Sequence, residues 1–410
     1  MNKIALIFPG QGTQYAGMGK KLFEQETCAR AVYEEIDEAL GFSLSGICFN
    51  GDETQLMDTQ YAQPAIFAYS VAQFRVMEER WNIRPYYGAG HSLGEYSALC
   101  CSGALSIEDA VRTVYHRGKL MKEAAQTDGA MAGIIGLDLT SVEEICSDIS
   151  TDTSLVVVAA INSHQHFTIS GHRSAVNEAT QRIQKRGGGV IPIRVSGAFH
   201  SPLMITAAVE LREVLVKKRF ARMRWPVLSN VTGLPHTIAD LVQRLVEQMT
   251  EPVQWQACMN YLEEKGVRRA VELGPGDVLK KLVGPLVSIR ILSHDSDFAM
   301  LEEELTPEEN RLGLIGGAMA VAVSLKNSNW DSEQYTAGVT EPYQRIKSLY
   351  TDLEKNKQYP TIAHMLEALD MLGSVIRTKK VDLQEGRKRM EDLLWETGTH
   401  RLLQDVDLPL

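Results

Sequence analysis

From Met1 to about Ile291, apolar residues come in short runs separated by stretches in which they recur with helical spacing. The runs at residues 4–8, 154–162, 167–170 and 269–272 predict buried strands, and the stretches between them predict amphipathic helices. Such alternation predicts an α/β fold on a mostly parallel sheet. Between residue 127 and about residue 193 the order changes. The run Gly129-Ala130-Met131-Ala132-Gly133-Ile134-Ile135 precedes a helix, two closely spaced strands, a helix over 173–185 and a closing strand over 190–195. That β-α-β-β-α-β order predicts a small inserted subdomain of ferredoxin-like type. Past Ser293 the strand-like runs become few. Ile362, Met365, Leu366, Leu369, Leu372 and Ile376 share one helical face, and a second amphipathic stretch covers 383–395.

Within this frame, Gly90-His91-Ser92-Leu93-Gly94-Glu95 lies between a strand-like approach and a helix-like exit. It has the Gly-x-Ser-x-Gly form of a nucleophile elbow, which points to acyl transfer. Glycines on either side of Ser92 relieve the crowding of a sharp strand-to-helix turn. The serine is then raised at a helix N-terminus, where unpaired N–H groups face outward. Ordinary Gly/Ser turns share the pattern, so its weight depends on the rest of the chain. The expected fold class is α/β. An α/β-hydrolase-like parallel-sheet core occupies 1–126 and 194–293, a ferredoxin-like subdomain 127–193, and a helical C-terminal extension 294–410.

Composition narrows the function classes. A chain of 410 residues, 44% hydrophobic and 23% charged, is long enough for two or more compact units. The formal net charge of -10 argues against nucleic acid or an anionic membrane as partner. Six cysteines without a CxxC pair suggest neither a metal site nor a disulfide framework, and fit a reduced, cytoplasmic setting. The apolar start is too short for a secretory signal. Residues 312–325, about 14 in all, fall short of the ~20 that span a bilayer. They predict a buried helix packed closely through Gly313, Gly316 and Gly317.

A serine hydroxyl needs a base. Ten histidines are present, and composition does not choose among them. His200, in Gly197-Ala198-Phe199-His200-Ser201-Pro202, follows a strand-like run and precedes a helix with Pro202 in its first turn, a loop position where function gathers. Gly10-Gln11-Gly12 is not the start of a dinucleotide fingerprint, because the third glycine would fall at Tyr15.

Phe8-Pro9-Gly10-Gln11-Gly12, Gly90-His91-Ser92-Leu93-Gly94-Glu95, Arg117, Gly197-Ala198-Phe199-His200-Ser201, Asn230-Val231-Thr232-Gly233, Pro252-Val253-Gln254-Trp255 and Glu272-Leu273-Gly274-Pro275-Gly276 occur in that order. Over about residues 1–290 the chain thereby resembles the malonyl-CoA:acyl carrier protein transacylases. It looks most like the discrete, trans-acting acyltransferases of bacterial polyketide or hybrid peptide–polyketide assembly lines, some of which carry a C-terminal extension. The resemblance implies Ser92 as nucleophile and His200 as base, with a backbone carbonyl near Gln254 orienting the imidazole. The main-chain N–H groups of Gln11 and Leu93 would hold the oxyanion. Arg117 would pair with the free malonyl carboxylate, where the residue alone reads as a solvated helix-face arginine. Phe199 would crowd an α-methyl branch, whether or not it also packs the core. Gln63 and Asn162 would line the pocket or else cap local backbone. No cofactor or metal is implied. Malonyl-CoA is the substrate, and phosphopantetheine arrives on an acyl carrier protein, free or within a synthase.

Two other readings compete. A hydrolase of the same fold would resolve the same acyl-serine with water, although such editing enzymes usually lack the arginine. An inactive docking module would owe its value to the tail, which could pack on the body, mediate oligomerisation or recruit a partner.

Overall fold

The computed structural model describes residues 3–409 apart from 82, 126–127, 194, 196, 284–286, 306–309 and 404–407, with residue 401 described by its backbone alone. Among these, the strands are β1 (Lys3–Phe8), β2 (Tyr87–Gly90), β3 (Gly129–Ile135), β4 (Val156–Ser163), β5 (His166–His172), β6 (Gly189–Pro192), β7 (Val227–Leu228), β8 (Val267–Glu272) and β9 (Arg290–Ser293). Five form a parallel sheet in the order β7-β2-β1-β8-β9. β1 lies at its centre, where Ala5, Leu6, Ile7 and Phe8 are fully buried. Both faces of such a strand are covered, which is why its sequence reads as an unbroken apolar run. One face packs on Trp255, Cys258, Met259 and Leu262 of the helix Trp255–Glu264.

The other four strands form an antiparallel sheet in the order β4-β5-β3-β6. The helices Leu139–Ile149 and Arg173–Lys185 bury Val142, Ile145, Val176 and Ile183 against Ile134, Val158, Phe167 and Ile169 of this sheet. The fold is therefore mixed α/β with one parallel and one antiparallel sheet. The strand expected from residue 154 begins at Val156, because Ser154 donates its N–H to Thr151 Oγ1 in a turn. The closing strand expected over 190–195 is β6, and residue 194 lies outside the described residues. The expected boundaries at 126/127 and 193/194 likewise involve residues that are not described.

The two sheets are joined where β4 bridges the segment before Trp255. Ala160 pairs with Val253 in parallel, Ile161 N–H donates to Val253 O at 2.9 Å, and Val253 N–H donates to Ala159 O at 2.9 Å. Asn162 follows on β4 and is thereby fixed toward the end of β2.

The chain divides into two compact units, Met1–Leu301 and Glu302–Leu410, with the division inside the helix Phe298–Leu305 rather than at the change of composition after Ser293. In the second unit, the helices Arg311–Ser324, Glu341–Lys355, Ile362–Thr378 and Leu383–Glu396 enclose their own core. Met365, Leu369, Leu372 and Ile376 are buried in it as the periodicity predicts, Leu366 is partly buried, and Ile362 at the helix start is exposed. The apolar run at 312–325 forms the first of these helices. A Cβ on Gly317 would stand 2.4 Å from the Leu393 Cδ1 methyl, so the helices pack closely there and that methyl would have to shift. No helix among the described residues is long and apolar enough to cross a membrane.

Candidate active site

Ser92 joins β2 to the helix Leu93–Cys101 with φ 53° and ψ −107°, a conformation that costs a non-glycine residue free energy. The flanking glycines make room for it. A Cβ on Gly90 would lie 1.9 Å from the Gly94 carbonyl carbon, and one on Gly94 would lie 2.0 Å from Phe8 O. Asn230 braces the turn from behind. Its Oδ1 accepts from Ser92 N–H at 2.6 Å and its Nδ2 donates to Gly90 O at 2.6 Å.

Ser92 Oγ lies 2.7 Å from His200 Nε2, and His200 Nδ1 lies 2.7 Å from Gln248 O. A carbonyl oxygen only accepts, so Nδ1 carries the proton and Nε2 is left to receive that of the serine. Burial, then the Arg117 cation, lowers the His200 pKa to about 3, against a weaker upward pull from the Gln248 carbonyl. The imidazole is therefore neutral at pH 7 and available as a base.

The orienting carbonyl belongs to Gln248, which corrects the expectation of one near Gln254. Gln254 begins the helix Trp255–Glu264, and its carbonyl already accepts from Cys258 N–H at 3.1 Å. Gln248 stands just past the end of the helix Leu241–Glu247, where carbonyls lack intrahelical partners. Gln254 instead donates its N–H to Asn230 O at 2.7 Å.

Arg117, on the helix Ile107–Ala124, is fully buried. Its Nη2 donates to Ser92 Oγ at 2.9 Å and to Gln248 Oε1 at 3.0 Å, and its Nη1 donates to Gln63 Oε1 at 2.8 Å. None of these partners is a carboxylate, Nε has no partner among the described residues, and burial depresses its pKa from the usual guanidinium range against a weaker upward pull from Tyr96 and Glu95. A buried cation whose hydrogen-bond partners among the described residues are neutral is ready to receive an anion.

Gln63 thus meets Arg117, and its Nε2 also approaches Met121 Sδ at 3.2 Å. Asn162 Oδ1 lies 3.0 Å from His91 Nε2, so its nearest partner is the histidine of the elbow. Phe199 is buried beside His200, over Gly197, where a Cβ would come within 2.7 Å of its ring. The Gln11 and Leu93 N–H groups donate to no described group, whereas the Gln11 side chain is held by Thr59 Oγ1 at 3.0 Å. Among the described residues no group of three or more His, Cys, Asp or Glu could hold a metal ion.

Sequence reasoning gave no role to Gln248, Glu95, Asn230 or His236, yet all four surround the elbow. Glu95 accepts from Asn230 N–H at 3.1 Å and from Gln248 Nε2 at 2.6 Å, and pairs with His236 Nε2. The available signal was a lone acid in the apolar stretch 93–101, every residue of which is buried. Gln248 lies in no quoted motif.

A strained serine, a neutral imidazole and a buried guanidinium on this two-sheet scaffold define an acylating enzyme, and the chain belongs to the acyl transferase domain family, which it matches over residues 5–286. It is 35% identical over 394 residues to a malonyl CoA-acyl carrier protein transacylase of Bacillus subtilis, covering 94% of this chain and 98% of the relative. It is 42% identical over 286 residues to a protein of the same name from Bacillus subtilis strain 168, covering 69% of this chain and 90% of the relative. The solved structure of FabD from Acinetobacter baumannii matches with a TM-score of 0.71 at 36% identity, over 74% of this chain and 97% of that one. A type II PKS acyl-carrier protein in complex with its malonyl-transacylase, PlMCAT:AntF, gives a match of TM-score 0.70 at 34% identity, over 74% and 99%. The first Bacillus relative therefore matches well into the helical unit.

Proposed function

We propose that the protein transfers a malonyl group from malonyl-CoA to the phosphopantetheine thiol of an acyl carrier protein, through an ester on Ser92. One observation carries this reading: the Arg117 guanidinium, whose hydrogen-bond partners among the described residues are Gln63, Gln248 and Ser92, stands 2.9 Å from the same Ser92 Oγ that is 2.7 Å from His200 Nε2. A malonyl carboxylate on Arg117 places the thioester carbonyl beside the nucleophile. Ser92 Oγ then attacks that carbonyl as its proton passes to His200 Nε2, and the oxyanion is held by the Gln11 and Leu93 N–H groups. The C–S bond breaks, and the departing thiolate takes the proton from Nε2. In the second half the carrier thiol gives its proton to Nε2 and attacks the acyl-serine, restoring the hydroxyl.

No cofactor enters this cycle. Phe199 would add steric preference for malonyl over methylmalonyl of about 1–3 kcal/mol, which leaves that preference leaky. The hydrolase reading finds no support in the relatives named above. The elbow on a parallel sheet supports an α/β-hydrolase-like core, and the strand order of the antiparallel sheet supports a ferredoxin-like subdomain. The transfer would supply extender units in the cytoplasm to polyketide or fatty-acid synthesis, and a helical unit beyond the matched acyl transferase domain fits a specialised polyketide or hybrid assembly line. Labelled malonyl-CoA should leave its acyl group on Ser92 and pass it to a holo carrier protein added afterwards. Absence of label on both refutes the proposal.

The depressed pKa of His200 fixes the pH profile. Protonation disables the base, and the group binds its proton only near about 3, so kcat/KM for Ser92 acylation should show no acid limb at the ordinary imidazole value of 6.5. The same depression, shared by His294 through burial and then Arg80, is linked to stability. The unfolded chain binds these protons first, so their contribution is complete above about 6.5 and is lost as pH falls toward about 3. Stopped-flow acylation rates and urea unfolding between these limits check both expectations.

A further inference from the structure

Three parts of the site converge on Gln248. Its main-chain oxygen receives His200 Nδ1–H at 2.7 Å, its Oε1 receives Arg117 Nη2–H at 3.0 Å, and its Nε2 donates to Ser92 O at 2.9 Å. Behind it lies Glu95, whose Oε2 accepts from Gln248 Nε2 at 2.6 Å and from Asn230 N–H at 3.1 Å, and whose Oε1 pairs with His236 Nε2. The side chains of Glu95 and His236 are both 0% exposed. Burying such a pair gains little stability over apolar residues of similar volume, so a glutamate in the first turn of the fully buried stretch 93–101 points to another role.

We infer that Glu95 is a positioning residue for acyl selection, which dictates the end of the Gln248 amide that Arg117 meets. This rests on the reading that Arg117 grips the acyl carboxylate. An amide has one accepting and one donating end, and the Glu95 Oε2 carboxylate oxygen accepts from the donating one. Glu95, at 2.6 Å the nearer acceptor beside Ser92 O at 2.9 Å, therefore draws Nε2 to its side, and Oε1 is left facing the guanidinium. With the amide turned over, N–H would meet N–H of a buried cation, and Arg117 would be pushed from the place where it reaches both Ser92 and the acyl carboxylate. His236 and Asn230 hold the two oxygens of Glu95 so that it does not rotate away. One carboxylate, touching no substrate, thus sets the side chain that steers Arg117 while the main chain of the same residue steers His200.

The test compares Glu95→Leu with Glu95→Gln, which keeps an accepting oxygen for Gln248 Nε2. Two reagents acylate or sulfonylate Ser92: malonyl-CoA over a range of concentrations, and phenylmethylsulfonyl fluoride, which has no carboxylate. In Glu95→Leu, malonyl-CoA acylation should fall about 10- to 100-fold, expressed in KM, the range for losing hydrogen bonds to a charged group. Sulfonyl fluoride labelling should stay within about threefold, and Glu95→Gln should recover most of the malonyl loss. If Glu95→Leu does not fold, His236→Phe frees the far side of Glu95 and should give the same split between reagents at smaller amplitude. Equal slowing of both reagents, or unchanged malonyl-CoA kinetics, overturns the inference while leaving transfer intact. A wild-type protein labelled by the sulfonyl fluoride but never acylated by malonyl-CoA overturns the transfer reading, and this inference with it.

Discussion

His200→Ala is expected to slow malonyl transfer by about 10²–10⁴-fold, the share a positioned general base supplies. His200 Nε2 is 2.7 Å from Ser92 Oγ, and no other base contacts that oxygen among the described residues, where its second partner is the Arg117 cation. With the imidazole gone, Ser92 keeps its strained backbone and its guanidinium neighbour, but its proton has no acceptor in place. The Gln248 carbonyl also loses its donor, which costs about 1–3 kcal/mol of stability if no water replaces it. A thermal melt beside the kinetics separates that cost from the catalytic one. Transfer within about threefold of wild type would contradict the dyad.

Arg117→Ala is expected to cut acylation by malonyl-CoA by about 10²-fold or more and to erase its preference over acetyl-CoA. A site built to pair a carboxylate discriminates through the penalty of leaving buried polar groups unpaired, which far exceeds that of a missing methylene. In the wild type an acetyl donor leaves the fully buried guanidinium without its anion. In the variant a malonyl donor instead buries a carboxylate without a cation. The pH profile should move as well. Arg117 is the second cause, after burial, of the lowered His200 pKa, so its removal raises that pKa and shifts the acid limb of acylation upward toward the ordinary imidazole value. Competition between malonyl-CoA and acetyl-CoA, read by intact mass, tests the selectivity. An unchanged preference would show that the guanidinium does not meet the acyl carboxylate.

These expectations rest on residues of unequal legibility. Ser92 is readable because an elbow leaves a local trace: Gly90 and Gly94 sit where a Cβ would strike the Gly94 carbonyl and Phe8 O, so the chain writes glycine on either side. Buried β1 is readable because burial on both faces leaves an unbroken apolar run. The order of strands and helices over 129–192 follows from periodicity in the same way. Gln248 and Glu95 leave no such trace. Their partners are far off in sequence, 153 positions apart in the case of Gln248 Nε2 and Glu95 Oε2. Glutamine at the end of one helix and glutamate in the first turn of another are ordinary in each local setting.

The displacement of the orienting carbonyl from the neighbourhood of Gln254 to Gln248 has the same origin. Both residues flank a helix, and both carbonyls are chemically alike. Only the placement of the helix Leu241–Glu247 against the His200 segment decides which one meets Nδ1. The sequence by itself determined what short-range sterics and periodicity impose: the alternation of elements, the apolar faces of the helical unit and the glycine-framed turn at Ser92. The tertiary structure alone decided which groups from remote segments meet there, because a hydrogen bond between distant residues depends on how whole elements pack and leaves no periodic mark on either segment.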